Sequence, residues 1–278
     1  MPQSPSPSAN DDSRNSGQAA TPQPLAPASG REAALEDALE AGLSPTRLRV
    51  RFTKCGDLRW ISHRDLARVW ERLLRRAGWQ LAFSQGFHPK PKISFLSALA
   101  VGIEALDEVV EMEIVGPVEL PLMEQGLRAQ LPPGMELLEL RVLDRRAGKA
   151  RLLGASYRIA HNLPPAAEAQ STAEVHPATA DLVNVEQLQQ RIAALGSAPR
   201  LELIRDGKAI GCDTTGPHFE LRVEGPNFLF SLPHEAQGSI RPSELLECVG
   251  LGHLLAQGEL LQRTAVHLQE PAAPPPTS

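Results

Sequence analysis

A strict alternation of apolar and polar side chains marks the segment RLRVRFTK at residues 47–54. Successive side chains of a strand point to opposite faces of its sheet, so Leu48, Val50 and Phe52 share one face. The other face carries Arg47, Arg49, Arg51 and Thr53. The pattern therefore predicts a half-buried strand with a cationic outer face.

The apolar spacing becomes helical after Ser62. The apolar positions that follow are Leu66, Val69, Trp70, Leu73, Leu74 and Ala77. Ser62, with Asp65 three residues later, is typical of a capped helix start, and Gly78 supplies a C-terminal stop. The spacing predicts a helix over 62–78 whose arginines lie mainly off the apolar stripe.

The rest of the first half completes one order of elements. The patterns predict strands at 79–84, 109–115 and 135–143, a helix at 120–131, and a loop at 85–95. Two prolines and a glycine exclude a regular ladder in that loop. The order is β-α-β-β-α-β, which is the ferredoxin-like arrangement.

The second half resembles the first in its order of elements. Strands are predicted at 155–163, 200–205, 218–224, 227–232 and 263–268, and helices at 185–195 and 242–251. We therefore expect an α+β protein with two ferredoxin-like halves, a basic domain at 46–145 and a second domain at 150–269. This expectation rests on element order, since we find no convincing residue-level repeat.

Both ends of the chain differ from these halves in composition. Residues 1–45 are rich in Pro, Ser, Ala and Gln, and residues 270–278 are mostly Pro and Ala. Such segments bury too little apolar surface to offset the entropy of ordering, so we expect a disordered leader and a disordered tail. The leader contains one possible short helix at 31–42, and residues 164–183 are expected to form a flexible insertion.

Cysteine usage and hydropathy narrow the class of protein. Cys55, Cys212 and Cys248 are far apart and odd in number, so no disulfide framework is indicated. The absence of closely spaced cysteines argues against an iron–sulfur cluster in this chain, and we expect no cofactor or metal of its own. No signal peptide and no run of 18 apolar residues is present, which predicts a cytoplasmic protein without a membrane span.

Charge is distributed very unevenly along the chain. Residues 47–92 hold twelve Lys and Arg against three acidic residues, a local balance of +9. The whole chain is −5, so the remainder carries −14. A basic block inside an acidic protein predicts an anionic partner that docks on one region.

The candidate phosphate-binding residues lie in this block. They are Arg49, Arg51, Lys54, Arg59, Arg64, Arg68, Arg72, Ser84, Gln85, Lys90 and Lys92. Guanidinium groups match phosphate oxygens in a bidentate geometry. Two other interpretations stay open: the helix arginines form an ordinary solvated surface, and acidic side chains from elsewhere in the chain neutralise the strand arginines.

The loop SQGFHPKPKISF at 84–95 mixes cations, hydrogen-bonding side chains and two aromatic rings. Such a mixture suits single-stranded nucleic acid, with lysines on the backbone and rings on the bases. The alternative is a rigid loop whose aromatic side chains fill the core. We expect Phe87 and Phe95 in the core, and Lys90 and Lys92 exposed towards a ligand.

Two histidines are the candidate proton carriers. His63 follows the predicted helix cap, with Asp57 nearby in sequence, and His88 lies in the loop. Histidine is the side chain that titrates near neutrality without perturbation, so an acid–base pair is conceivable. The alternative is a histidine that positions a loop or a ligand. The other histidines show no metal-ligand spacing, and no nucleotide-binding or hydrolase motif is present.

Three motif segments resemble the radical SAM-linked protein family. They are KCGDLRWISHRD at 54–65, SQGFHPKPKISF at 84–95, and the GIE…E segment at 102–111. The resemblance covers 46–145 well and 150–268 weakly. It implies a bacterial accessory domain for a cobalamin-type radical SAM enzyme. That enzyme would act in trans and carry the iron–sulfur cluster and S-adenosylmethionine, because this chain has no such domain.

Three functional hypotheses follow. The first is a module that binds RNA, such as tRNA or rRNA, for the radical SAM enzyme. The second is an adaptor whose basic surface meets an acidic surface of that enzyme. The third is a stand-alone RNA-processing enzyme that uses His63 with Asp57 or His88. Catalytic activity of the chain itself is the less favoured outcome.

Overall fold

The computed structural model describes residues 44–144, 148–161, 163 and 184–270. Its strands are β1 Thr46–Lys54, β2 Ile93–Phe95, β3 Glu104–Ile114, β4 Leu137–Val142, β5 Arg151–Ala160, β6 Arg200–Arg205, β7 Lys208–Asp213, β8 Glu220–Glu224, β9 Asn227–Pro233 and β10 Gln262–Gln269. Its α-helices are α1 His63–Arg76, α2 Leu120–Arg128, α3 Val185–Ser197, α4 Pro242–Val249 and α5 Gly252–Ala256, and a 3-10 turn spans Gly56–Trp60. The predicted leader (except residues 44 and 45), the insertion 164–183 and all but the first residue of the tail lie outside the described residues.

One eight-stranded sheet contains most of the strands. In the first half β4, β1 and β3 lie side by side and antiparallel, and β2 pairs antiparallel with β3. In the second half the order is β10-β5-β9-β8, again antiparallel. A short parallel pairing of β3 with β10, at Glu104↔Gln262 and Ala105↔Arg263, joins the halves. The expected α+β class is confirmed.

Two apolar clusters fill the two halves. In the first, Leu48, Val50 and Phe52 are fully buried under α1, and the rings of Phe52 and Trp70 meet edge to face at 4.8 Å. The second lies between α3, α4, α5 and the strands β5 and β9. Leu99 and Ile103, from the segment before β3, belong to this second cluster. The halves are therefore connected by packing as well as by the sheet.

Several predicted boundaries differ from the structure. The strand expected at 79–84 is reduced to isolated bridges, Leu81↔Ile114 and Phe83↔Pro91, while β2 forms inside the predicted loop. Ala82 hydrogen-bonds to Glu113 and Lys92, and the neighbouring prolines interrupt a longer ladder. The helix expected at 242–251 ends at Val249, because Gly250 adopts a left-handed conformation (φ +83°) and a second short helix follows.

The strand β7 is an element that the periodicity analysis did not predict. It pairs with β6 in a separate two-stranded hairpin. The connecting residues, Asp206 and Gly207, both have positive φ, which is the conformation of a tight two-residue hairpin turn. None of the helices in the described part of the chain combines the length and hydropathy of a membrane span.

Candidate anion-binding surface

The arginines of β1 lie on the sheet face that points away from α1. Arg49 is only 1% exposed, and its Nε and Nη2 donate to Glu111 Oε1 at 2.9 and 2.6 Å. Its Nη1 donates to Glu270, just beyond β10. The prediction that Arg49 faces water is therefore wrong. The structure has the alternative, in which the chain's own carboxylates neutralise this arginine.

The neighbouring arginines of β1 follow the same rule. Arg47 Nη2 donates to Glu111 Oε2 at 2.7 Å, and Arg51 Nη1 donates to Asp107 Oδ2 at 2.6 Å. Glu270 also accepts a hydrogen bond from Arg141 of β4. Burial raises the pKa of Glu270, but the hydrogen bonds from Arg141 and Arg49 outweigh burial and leave that pKa below its usual value. Carboxylates of β3, together with Glu270 just beyond β10, thus cover the cationic face.

Lys54 and Arg59 are also less available than the sequence indicated. Lys54 is 1% exposed, and its Nζ donates to the carbonyl oxygens of Arg59 and Ile61, each at 3.4 Å. Burial lowers the pKa of Lys54. The Arg59 guanidinium lies 4.8 Å from the ring centroid of Trp60, a cation–π geometry. The expected ligand-facing position is wrong for Lys54, since its ammonium is enclosed by backbone.

The start of α1 has the predicted cap. Ser62 Oγ accepts from the Asp65 backbone N–H at 3.2 Å and donates to Asp65 Oδ2 at 2.7 Å. The Ser62 hydrogen bond, supported by Arg68 at 3.1 Å, holds the pKa of Asp65 below its ordinary value. This arrangement fixes the helix start and thereby the direction in which its arginines project.

The arginines of α1 contrast with those of β1. Within the described residues, Arg72, Arg75 and Arg76 are exposed and have neither an ion pair nor a side-chain hydrogen bond. Arg64 and Arg68 are exposed on the same side, since residues four apart on a helix are neighbours. These five arginines, together with loop residues 84–92, are called here the α1–loop surface.

The loop of this surface is closed by its own backbone. Ser84 N–H donates to the Lys90 carbonyl at 2.9 Å, and Lys90 N–H donates to Ser84 Oγ at 3.0 Å. Phe87 lies at the tip and is fully exposed (102%), so its predicted place in the core is wrong. Gln85 and His88 are exposed beside it.

The base of the loop behaves as expected. Phe95 is partly buried and packs against the first core, which confirms that prediction. Lys90 and Lys92 are both exposed, also as predicted. Lys92 Nζ lies 2.6 Å from Glu113 Oε2, so its charge is partly balanced, whereas Lys90 has no ion pair among the described residues.

His63 connects the helix to the loop. Its ring meets Phe95 edge to face with centroids 5.1 Å apart. In the described ranges no hydrogen bond joins His63 to Asp57 or to His88, so the conceivable acid–base pair is not assembled here. The contact instead holds the N-terminus of α1 against the end of the loop, and a catalytic role for any of the three stays a prediction.

The α1–loop surface therefore combines several unpaired guanidinium groups with one unpaired ammonium and an exposed ring. Guanidinium forks bind phosphate oxygens, and an exposed ring can stack on a base. Over the described part of the chain, no group of three or more His, Cys, Asp or Glu is arranged to hold a metal ion. Chemically, the surface is suited to binding a flexible polyanion.

One family profile matches this chain over residues 47–215, and the family is described as an uncharacterised protein conserved in bacteria (DUF2344). The match covers more than half of the 278 residues. The chain belongs to the DUF2344 family. Among curated proteins, the comparison finds none that matches this DUF2344 protein. The family match begins in β1 and includes the whole α1–loop surface, but it names no radical SAM partner, so that link stays a prediction.

A second set of charged residues was missed by the sequence analysis. Glu108 of β3 and Arg263 of β10 are each 1% exposed, with Arg263 Nη2 at 2.7 Å from Glu108 Oε1. Burial, more than any neighbour, raises the pKa of Glu108 to about 7. The available signal was the repeated placement of carboxylates within an otherwise apolar strand, EALDEVVEMEI, because buried charges need partners.

Proposed function

We propose that this protein is an accessory module that binds single-stranded RNA on the α1–loop surface. The observation that supports the proposal is that Arg72, Arg75 and Arg76 are exposed and unpaired in the described residues of an acidic protein. Cations without internal partners attract an external anion, whereas the acidic remainder repels nucleic acid elsewhere.

The surface offers a specific division of labour. The α1 arginines and Lys90 would contact phosphates, which supplies affinity without sequence preference. Phe87 would stack on a base, because its ring is fully exposed at a tip closed by Ser84 and Lys90. Gln85 is exposed next to it and could hydrogen-bond to a base edge. These contacts need an unpaired strand, since bases inside an RNA helix are inaccessible to stacking.

We also propose that both halves are ferredoxin-like. In favour of this, β4-β1-β3-β2 in the first half and β10-β5-β9-β8 in the second are both antiparallel in their pairings. In each half the first and third strands are central, which is the order expected of the β-α-β-β-α-β unit. The β6–β7 hairpin is an addition to the second unit.

The partner in this proposal is a cytoplasmic radical SAM enzyme that acts in trans. It rests on the motif resemblance at 54–65, 84–95 and 102–111, and not on the family description. The enzyme would carry the iron–sulfur cluster and S-adenosylmethionine, while this chain would hold the tRNA or rRNA substrate. No catalytic group is assigned to this chain.

Fluorescence anisotropy with a labelled single-stranded oligouridylate tests the RNA proposal. The logarithm of the affinity should fall with the logarithm of salt concentration, by about 0.7 per phosphate contacted. The variant Arg72→Glu/Arg75→Glu/Arg76→Glu should reduce both the affinity at low salt and this slope. A matched control reverses three exposed arginines that already have carboxylate partners, Arg128, Arg200 and Arg222.

The outcomes separate the competing functions. Lack of RNA binding at low salt, or an equal loss in the control variant, would remove the RNA proposal. Capture of a radical SAM polypeptide that survives nuclease treatment and needs the α1 arginines would favour the adaptor. Discrete RNA products that disappear in His63→Ala would favour the enzyme.

A further inference from the structure

A cleft of about 910 Å³ lies where the two halves meet. One wall is the segment Leu96–Ile103, which leads into β3, and the other walls come from β5, the end of β9 and the residues before β10. Its volume is in the range of pockets that hold small organic molecules. The buried charges Lys54, Asp107 and Glu108 do not line the cleft, so they are not part of this site.

One end of the cleft adjoins the start of α1. Trp60 lines the cleft at the end of the 3-10 turn, and Ser62, the cap of α1, follows two residues later. Leu96 also lines the cleft and directly follows Phe95, whose ring meets that of His63. The cleft and the α1–loop surface are therefore neighbours, although no residue belongs to both.

Trp60 is a fixed but open aromatic side chain at this end. It is 59% exposed, while the Gly102 N–H donates to the Arg59 carbonyl at 2.8 Å. A Cβ atom at Gly102 would lie 3.2 Å from Trp60 Cζ3, and the φ of +90° at this position also favours glycine. The indole is thus held in place with more than half of its surface available for contact with a ligand.

Two hydroxyl groups of the lining are available as hydrogen-bond donors. The Tyr157 ring stacks on Phe230 at 5.2 Å, and its hydroxyl has no hydrogen bond among the described residues and is not sealed from solvent. Burial raises the pKa of Tyr157, so this hydroxyl stays protonated. Ser97 Oγ accepts from Arg263 Nη1 and keeps its own proton to donate. Both hydroxyls adjoin Arg263, because Tyr157 is its register partner in β5.

The rest of the lining is mainly apolar. Leu99, Ile240 and Leu261 line the cleft and belong to the second apolar cluster. Arg263 is already opposite Glu108 at 2.7 Å, so the interior of the cleft does not call for an anion. Neutral donors between apolar walls match a flat, uncharged ring with acceptors on its edge. An unpaired nucleobase has this chemistry, since its face is apolar and its edge carries carbonyl oxygens or ring nitrogens.

We propose that this cleft receives one unstacked base of the bound RNA strand, with the base edge on the Tyr157 and Ser97 hydroxyls and the ring between the apolar walls, next to Trp60. The inference rests on the proposed RNA-binding function and adds to it a site that holds a single base. Taking a base out of its stack costs free energy, and the contacts in the cleft offset that cost.

Calorimetry with free nucleosides tests the cleft on the full chain. The probes are adenosine, guanosine, cytidine and uridine, which carry a base without phosphate. At least one of them should bind with a dissociation constant of about 1 mM or lower. Benzimidazole has two fused rings like a purine but lacks amino and carbonyl groups on its edge, so it should bind at least about threefold more weakly than the best nucleoside.

Tryptophan fluorescence locates the bound nucleoside. Of the three tryptophans of the chain, Trp60 is exposed, whereas Trp70 and Trp79 are buried. A base in the cleft should therefore change the emission of Trp60, and the change should saturate at the concentration at which calorimetry shows full binding.

Three variants test the contacts. Ala98→Phe places a ring at an exposed position of the Leu96–Ile103 wall and should weaken nucleoside binding by about tenfold or more. Tyr157→Phe keeps the ring and removes the hydroxyl, which should weaken binding by about three- to tenfold. Ala209→Phe, at an exposed position of β7 outside the cleft, is the matched control and should bind like the parent chain.

Four results would overturn the proposal. They are absence of nucleoside binding at millimolar concentration, benzimidazole binding as tight as that of the best nucleoside, equal binding in Ala98→Phe and Ala209→Phe, and unchanged binding in Tyr157→Phe.

The variant Arg72→Glu/Arg75→Glu/Arg76→Glu separates this proposal from the RNA-binding function. It should lose affinity for oligouridylate and keep the nucleoside affinity of the parent chain, because none of these arginines lines the cleft. A parent chain that binds nucleosides but not oligouridylate would overturn the RNA function and, with it, RNA as the source of the base. A chain that binds oligouridylate but no nucleoside would overturn the cleft site alone.

Discussion

The arginines of β1 and those of α1 lie within thirty residues of each other in the sequence but have opposite environments. Arg49 is buried and held by Glu111 and Glu270, whereas Arg72 is exposed and has no partner in the described part of the chain. The local excess of positive charge therefore consists of two groups of arginines. Those of β1 form ion pairs inside the fold, and those of α1 are available to an external anion.

The difference follows from where each element lies. On the outward face of β1, carboxylates of the neighbouring strand β3 come within hydrogen-bond distance of the arginines, and Glu270, just beyond β10, accepts from Arg49. The apolar side of α1 packs on the sheet, and on its other side Arg72, Arg75 and Arg76 have no ion pair or side-chain hydrogen bond among the described residues. Burial obliges a charge to find a partner, and exposure does not.

The largest expected effect comes from breaking the buried network. Glu111→Gln leaves Arg47 and Arg49 without their shared carboxylate, and we expect the free energy of unfolding to fall by about 3–5 kcal/mol. Urea denaturation followed by circular dichroism measures it. Glu124→Gln, which removes an exposed partner of Arg128, is the control and should lose less than about 1 kcal/mol. Similar losses in both variants would mean that the two classes of arginine do not differ energetically.

The second expected effect is a pH dependence that arises from Glu108. Its pKa is about 7 in the folded protein against an ordinary value of 4.5, and burial is the main cause. A group whose pKa is raised by folding contributes its full stability below the unfolded pKa, and that contribution is lost as pH rises through the folded pKa. Between about pH 5 and about pH 8 the stability should fall by about 2–3 kcal/mol from this group alone.

The variant Glu108→Gln tests whether Glu108 causes the predicted fall in stability with rising pH. The variant cannot ionise at this position, so its free energy of unfolding should lack this component of the fall with pH. The neighbouring charges, Asp107, Lys54 and Arg263, are common to both proteins. Denaturation curves at a series of pH values measure the difference. Parallel pH profiles for the two proteins would show that Glu108 does not titrate in this window.

Local sequence patterns predicted most helices and strands, but they did not predict which side chains far apart in sequence form ion pairs. The cap of Ser62 and the apolar stripe of α1 are encoded within a few residues, so their prediction was confirmed. The partners of Arg49 lie 62 and 221 residues away in sequence, which no periodicity can reveal. The missed strand β7 was accessible, since Asp206-Gly207 is a typical hairpin dipeptide.

The same limit explains the two phenylalanines of the loop. Both have the same side chain and lie eight residues apart, and we expected both in the core. Phe95 belongs to β2, whose pairing with β3 carries it onto the apolar face. Phe87 lies at a tip closed by a Ser84–Lys90 hydrogen bond that the sequence does not announce. As with the arginines, two residues of the same type are thus buried in one case and exposed in the other because of the element to which each belongs.

The smallest expected effect on stability extends the comparison to these rings. Phe87→Ala should change the free energy of unfolding by less than about 0.5 kcal/mol, because the side chain is fully exposed. Phe95→Ala removes a packed ring and should destabilise the protein clearly more.

If Phe87 stacks on a base, its variant should also weaken oligouridylate binding by roughly 1–3 kcal/mol while leaving the salt slope unchanged, since no phosphate contact is lost. Anisotropy titrations at two salt concentrations measure both quantities. If Phe87→Ala binds oligouridylate with the affinity of the parent chain, Phe87 has no role in binding. If the variant changes the salt slope, the loss of affinity includes phosphate contacts and is not a loss of stacking alone.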